Sequence, residues 1–304
     1  MPTHQSSADR IEALTAALFF PTAANGVYGR SGLFEHVIEG LSALITRQRA
    51  AGTEVVRFPP VMSRDVLEKS GYLQSFPHLL GCVSCLSGEE AEVRALVEAR
   101  NGQRGDWADS LKAVGLALTP AACYPVYPLV AARGAVAANG ALFDVESYCF
   151  RREVSHEAGR LQSFRMREYV CVGSPDSALA FREGWLARGE RLANELALPF
   201  RIAPASDPFF GRVGKIMALS QVQQALKFEL LIPVHSEDQP TACMSFNYHQ
   251  DHFGTNWGMR TDGGEVAHTA CAAFGIERLG IALFATHGLD LQAWPAGVRT
   301  ALSL

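Results

Sequence analysis

Two apolar runs, Tyr148–Glu153 and Phe164–Val172, are joined by the ten residues 154–163, and this pairing constrains the chain more than any other feature. It reads as a long-looped β-hairpin. Further strands are predicted over Glu54–Phe58, closed by Pro59 and Pro60, and over Ala225–Val234 and Thr241–Asn247. From Ser31 to Gly52 apolar residues recur every three or four positions, which predicts an amphipathic helix. Other helices are expected over Asp65–Ser70, from a capping box at Ser87 and Glu90 to about Asn101, from Ser174 to before Pro199, and over Cys271–His287 with Gly288 as cap. The segment Gly102–Asp109 is predicted to be a surface loop, and an apolar run spans Pro120–Val130. Strands linked by hairpins and long excursions, without a regular βαβα alternation, point to an α+β protein with an antiparallel β-sheet flanked by helices.

The chain has 304 residues, 48% hydrophobic and 19% charged, enough for one large domain or two modest ones without disulfide staples. Its net charge of −4 supplies no basic field to recruit nucleic acid. No apolar run reaches the roughly 20 residues of a membrane helix, and Ile11–Phe20 is broken by Glu12 and lacks a basic leader, so a cytoplasmic protein with no membrane partner is expected. Seven scattered cysteines fit free thiols or metal ligands better than disulfides. Cys82 and Cys85 have CxxC spacing, but no second pair completes a zinc site; the plain reading is two small residues in a buried strand.

On a strand, residues two apart share a face. Arg151 and Glu153 therefore project together, as do Phe164, Met166 and Glu168 on the partner. A guanidinium can grip a phosphate and a ring can stack on a base, so this face suits a nucleotide. Taken alone it is equally a solvated hairpin with cross-strand ion pairs.

Three motifs in order break the tie. Cys149-Phe-Arg-x-Glu153, Arg160 and Phe164 to Glu168 resemble motif 2 of class II aminoacyl-tRNA synthetases, and Ala273-Phe-Gly-Ile-Glu-Arg-Leu279 resembles motif 3. The Ser31 helix, the Thr53–Phe58 strand and Pro59 resemble motif 1, the dimer-forming element. Within that class, Ser70-Gly71 before Leu73 and Phe76, and Lys227-Phe-Glu-Leu230, look most like seryl-tRNA synthetase. The likeness runs from Ser31 to the C-terminus, with residues 1–30 as an extension and no N-terminal coiled-coil tRNA-binding arm. Such a stripped core resembles the amino acid:carrier-protein ligases, relatives of atypical, zinc-dependent seryl-tRNA synthetase.

The resemblance implies a single class II catalytic domain over residues 1–304, a homodimer that forms an aminoacyl adenylate from ATP and glycine or alanine. It implies transfer to the phosphopantetheine thiol of an acyl carrier protein, with no tRNA. It places Arg151 on the α-phosphate and the substrate carboxylate, Glu153 on the adenine edge, Arg160 on the terminal phosphates, and Phe164 and Arg278 on the two faces of adenine. Zn²⁺ would sit on Cys123, Glu168 and Cys271. Mg²⁺ is less defined: the seryl pattern's glutamate has no counterpart in Thr241–Asn247, and Glu229 is the better candidate than Glu237 or Asp238. Asn247 and His249 are assigned to the substrate, while His249, Asp251 and His252 either line a channel or are solvated. Residues 212–225 are expected to form a helical insert whose cations Arg212 and Lys215, above apolar Ile216, Leu219 and Val222, suit an acidic carrier protein. A short seryl-type tRNA synthetase and a non-catalytic paralogue are the alternatives.

Overall fold

The computed structural model describes residues 7–100, 108–153 and 159–304. Seven strands, β1 (Glu54–Arg57), β2 (Ala141–Phe150), β3 (Ser163–Gly173), β4 (Arg201–Pro204), β5 (Lys227–Ile232), β6 (Thr241–Gln250) and β7 (His268–Gly275), form one sheet in the order β1-β2-β3-β7-β6-β5-β4. Only β1 pairs in parallel; every other pair is antiparallel. The helices that matter here are α1 (Gly32–Arg47), α2 (Val126–Arg133), α3 (Pro175–Glu195), α4 (Gly211–Gln223), α5 (His252–Trp257) and α6 (Ile276–His287). A smaller sheet of Val61–Ser63, Leu111–Leu118 and Cys82–Leu86 stands to one side.

Period-two alternation divides the core. On β3, Tyr169 faces a cluster with α1, α3 and α6, while Met166, Val170 and Val172 face a second cluster with Tyr127 and Phe253. Helix α1 forms as its pattern dictates: Phe34, Val37, Ile38, Leu41, Leu44 and Ile45 are buried, and the Ser31 hydroxyl accepts the Phe34 N–H. It lies so close to α6 that a Cβ on Gly280 would come within 2.7 Å of Phe34 and Ile38.

Several expectations need correction. Cys271–Gly275 belongs to a strand, and the helix starts only at Ile276. The run Ala270–Phe274 is buried on both faces, so its periodicity carries no signal, and pairing with β3 and β6 decides. The helix expected from Ser87 begins at Glu90, because the reciprocal bond runs from the Glu89 N–H to the Glu92 carboxylate, two residues later. Cys82 and Cys85 do lie on a strand, but they are exposed. The run Pro120–Val130 is a turn leading into α2, and Leu111–Leu118 is a strand with no clear alternation. The loop expected over Gly102–Asp109 lies outside the described residues except at its end. No helix among the described residues is long and apolar enough to cross a membrane.

Asp144 is fully buried on the helix-packed face and accepts from Arg167 at 2.6 and 3.0 Å and from Arg49 at 2.6 and 2.9 Å, joining β2, β3 and the end of α1. Burial pushes its carboxyl upward, yet Arg167 and Arg49 hold it below the ordinary range. Asp144→Asn leaves Arg167 buried without its counter-ion and is expected to cost about 3–5 kcal/mol in urea denaturation. Because the folded pKa is depressed, this contribution is complete above about pH 4 and is lost as pH falls through the folded value, so the gap between wild type and variant should close in acid.

Candidate active site

On the other face of the sheet lies a cavity of about 600 Å³, lined by β3, β5, β6 and β7, by the start of α6 and by α4. Two chemically distinct groups of side chains line it.

In the first group, Cys123 precedes α2, Glu168 comes from β3 and Cys271 from β7; their ligating atoms all lie within 4.8 Å of one another, and all three residues are buried. The Cys123 N–H donates to Glu168 Oε2 at 2.7 Å. Its hydrogen bond with Cys271 and burial push the Cys123 thiol up, and burial pushes the Glu168 carboxyl up. Cys271 is eased by its bond to Cys123, but burial and Glu168 leave it raised as well. Three acids forced together prefer their protons until a cation replaces them. Two thiolates and a carboxylate suit Zn²⁺ with a fourth position open. The Tyr127 hydroxyl is buried beside the Cys123 thiol and favours its ionised form.

Asn247, opposite Cys271 in the β6–β7 ladder, donates to its Sγ at 3.3 Å. His249 lies 3.6 Å from the same sulfur, and burial pushes its imidazole down to about 4. His252 also lines the cavity, 3.2 Å from the Ser70 carbonyl, whereas Asp251 is exposed and accepts from Thr255.

The second group holds the cations. The assigned strand β2 stops at Phe150, but the Arg151 N–H still donates to the Gln162 carbonyl at 2.9 Å, and Arg151 lines the cavity with Glu153 and Phe164 as expected; its Nε donates to the Pro120 carbonyl at 3.0 Å, and its guanidinium sits 5.7 Å from the Phe164 ring. Arg278 enters from the first turn of α6 and donates to Gly159 and Ala242 carbonyls at 3.0 Å; burial lowers its pKa, but a guanidinium stays charged. Glu153 lines the cavity and Arg160 reaches it at 3.3 Å, while Arg160 itself is exposed and absent from the lining. Glu229 pairs with Lys227 at 3.1 Å.

Several lining residues escaped the motif reading. Asp207 accepts from Lys227 at 2.6 Å; despite burial, which raises it, Lys227 holds its carboxyl down. Tyr72 is buried with an unpartnered hydroxyl, pushed up to about 12 by burial. Tyr72 follows Ser70-Gly71, whose seryl likeness was the available signal; Asp207 had none.

Helix α4 roofs the cavity. Ile216, Leu219 and Val222, expected beneath Arg212 and Lys215, are exposed, Ile216 at 68% and Leu219 at 64%, joined by Val213 at 70%. The polar latch that holds the helix is Gln221, whose amide carbonyl accepts the Asp207 N–H at 2.7 Å and whose NH₂ donates to the Asp207 carboxylate at 2.9 Å. Gln221→Leu should lower amide-exchange protection across residues 211–223 about tenfold, the equivalent of roughly 1.4 kcal/mol from two lost bonds, without altering the central strands. Unchanged protection would show that the latch does not hold the helix.

No family model matches the sequence. Two proteins of Bradyrhizobium diazoefficiens named amino acid--[acyl-carrier-protein] ligase 1 and 2 are 59% and 57% identical over 297 residues, covering 98% of this chain and 91% and 89% of theirs. The type-2 serine–tRNA ligase of Methanopyrus kandleri is 26% identical over 91% of this chain but 56% of its own length. Among solved structures, the M. kandleri seryl-tRNA synthetase in complex with an A. aeolicus tRNASec has a TM-score of 0.83 at 22% identity, over 96% of this chain and 59% of that one. The Pyrococcus horikoshii seryl-tRNA synthetase complexed with ATP has a TM-score of 0.68 at 15% identity, over 99% and 63%. At these identities the structures establish the fold, that of class II synthetase catalytic domains.

Proposed function

The chain belongs to the amino acid:acyl-carrier-protein ligase family, and from that premise we propose that it activates glycine or alanine with ATP and passes the aminoacyl group to the phosphopantetheine thiol of an acyl carrier protein. The observation that carries this reading is one cavity lined both by the Arg151 and Arg278 guanidinium groups and by the Cys123–Glu168–Cys271 cluster. A nucleotide triphosphate needs the first; a small molecule with a free amine suits the second.

In this reading a carboxylate oxygen of the amino acid attacks the α-phosphorus of ATP and pyrophosphate departs. Arg151 neutralises charge developing on the phosphorus and orients the carboxylate, a term worth more in a water-excluded site than in bulk. Phe164 and Arg278 take the two faces of adenine, Glu153 its amino edge and Arg160 the terminal phosphates. Glu229 is the Mg²⁺ candidate, with Lys227 and Asp207 setting the local charge. Cys123, Glu168 and Cys271 would hold Zn²⁺, which supplies a Lewis-acid position for the α-amine. Asn247 and His249 bound the amino acid end. In the second half-reaction the pantetheine sulfur attacks the carbonyl carbon, a thioester forms and AMP leaves.

The acidic carrier would meet the α4 face, where Arg212 and Lys215 flank exposed Val213, Ile216 and Leu219. The dimer of this reading uses α1 and the edge strand β1, and the single catalytic domain of residues 1–304 acts in the cytoplasm.

Arg151→Ala and Arg278→Ala should each lower amino acid-dependent ATP–pyrophosphate exchange by at least about 10²-fold with the fold retained. Exchange at wild-type rate in both variants would remove the adenylation reading. Label from the amino acid should appear as a thioester on a pantetheinylated carrier; efficient, RNase-sensitive labelling of tRNA would instead support a short seryl-type synthetase, the reading favoured by the M. kandleri relative. Absence of exchange with any amino acid would support a non-catalytic paralogue.

Arg212→Glu with Lys215→Glu should leave exchange intact but lower transfer at limiting carrier by about tenfold or more, and salt should weaken wild-type transfer in the same direction. Unchanged transfer by the charge-reversed protein would place the carrier elsewhere.

A further inference from the structure

On the cavity face of the β6–β7 ladder, Asn247, His249, Thr269 and Cys271 are in mutual contact. Asn247 lies directly opposite Cys271. Beyond it the register slips between Tyr248 and Gln250, so that Gln250, at φ 55°, takes the place opposite Thr269 and His249 becomes the extra residue of a bulge. A bulge re-aims a side chain, and here the imidazole spans two β7 residues: Nδ1 is 3.0 Å from Thr269 Oγ1 and Nε2 is 3.6 Å from Cys271 Sγ. Phe253 fixes the ring from the side, edge to face with His249 at 5.1 Å and stacked on Tyr127 at 3.9 Å. Thr269 is fully buried.

From this geometry we infer that Thr269, His249 and Asn247 form a hydrogen-bond relay onto the Cys271 sulfur that positions it as a zinc ligand. The inference rests on the zinc reading above and extends it to residues that would not touch the ion. A metal-bound thiolate is a hydrogen-bond acceptor only. An imidazole lone pair aimed at it would be repelled, so the tautomer with hydrogen on Nε2 is selected. The Thr269 hydroxyl then donates to Nδ1, and Nε2–H and the Asn247 amide both donate to Sγ. The two thiolates are thereby unequal: Cys271 has two nitrogen donors, whereas Cys123 has the Tyr127 hydroxyl beside it. His249 and Asn247 thus act on the amino acid end through the sulfur. They are positioning residues, and packing on Phe253 alone would account for neither the Thr269 contact nor the Asn247 bond.

The test compares Thr269→Val, an isosteric loss of the hydroxyl, Thr269→Ser, which keeps it, and His249→Phe, which keeps a ring against Phe253. Zinc affinity is measured by chelator competition on the full chain, and Co²⁺-loaded protein is followed by its sulfur-to-metal charge-transfer band. Thr269→Val and His249→Phe are expected to weaken zinc binding 10- to 100-fold and to move the band to longer wavelength, as a sulfur stripped of donors gives up electron density more easily; Thr269→Ser should restore both. Wild-type affinity and an unmoved band in Thr269→Val would overturn the relay, whether or not His249→Phe folds. A wild-type chain that holds no zinc and shows no cobalt–sulfur band would overturn the zinc reading and the relay with it, an outcome distinct from the first.

Discussion

The register between β3 and β7 is the constraint on which the site depends. Val170 sits opposite Cys271 and Glu168 opposite Ala273, so Glu168 and Cys271 are diagonal neighbours on one face, close enough for both to reach Cys123. Slipping β3 by one residue would turn Glu168 into the helix-packed core and bring Arg167 into the cavity, and slipping β7 would turn Cys271 away. That alternative is opposed from the far face, where Arg167 and Asp144 exchange two hydrogen bonds in full burial. A buried pair of this kind adds little net stability against an apolar replacement, but its loss on misregister would strand a charge. The ion pair on one face and the ligand cluster on the other are two readings of the same alternation.

A second buried carboxylate ties the helices to that frame. Glu277, the residue before Arg278, accepts from the Arg165 N–H at 2.7 Å, from Arg165 Nε at 2.8 Å and from Arg30 at 2.8 Å; Arg165 in turn grips Glu35 of α1 in a two-pronged pair. One turn of α6 is therefore bound to β3 and α1 before Arg278 extends into the cavity. The position of that guanidinium follows from contacts outside the cavity, which is the kind of support a phosphate or base contact requires.

Much of this was legible in the sequence, for different physical reasons. Helix α1 was visible because it is amphipathic at a single period, and the hairpin because its two runs flank one loop. Cys123, Glu168 and Cys271 come together as the resemblance implied, although spacings of 45 and 103 residues carry no local ligand signal. Arg151 and Glu153 line the cavity together, as alternation along the hairpin implied, although the assigned strand ends at Phe150. The β7 strand was hidden by its own burial, because a run apolar on both faces has no period to detect. Asp207 and the Gln221 latch were invisible in principle: a polar pair fourteen residues apart across an irregular segment becomes a contact only once α4 folds back over the cavity.

The way α4 is attached sets what it can do. Val213, Ile216 and Leu219 each forgo about 1.5–3 kcal/mol of burial by facing outward or into the open cavity. The helix is instead anchored at the rim, where Gln221 bonds to Asp207 and Asp207 to Lys227 beside Glu229. An apolar interface would fix the helix regardless of what the cavity holds. This polar one runs through charged groups that line the cavity, so a change of charge there acts on the same carboxylate that holds the roof. Ala225, at φ 49°, ends the helix, and its carbonyl accepts from buried Arg182 of α3, which keeps that end fixed to the sheet. The Gly211 end is held as well, since the Phe210 N–H donates to the Ser75 carbonyl at 2.9 Å and Phe209 stacks on Phe76 at 5.1 Å, so α4 is tied to the cavity rim at both ends.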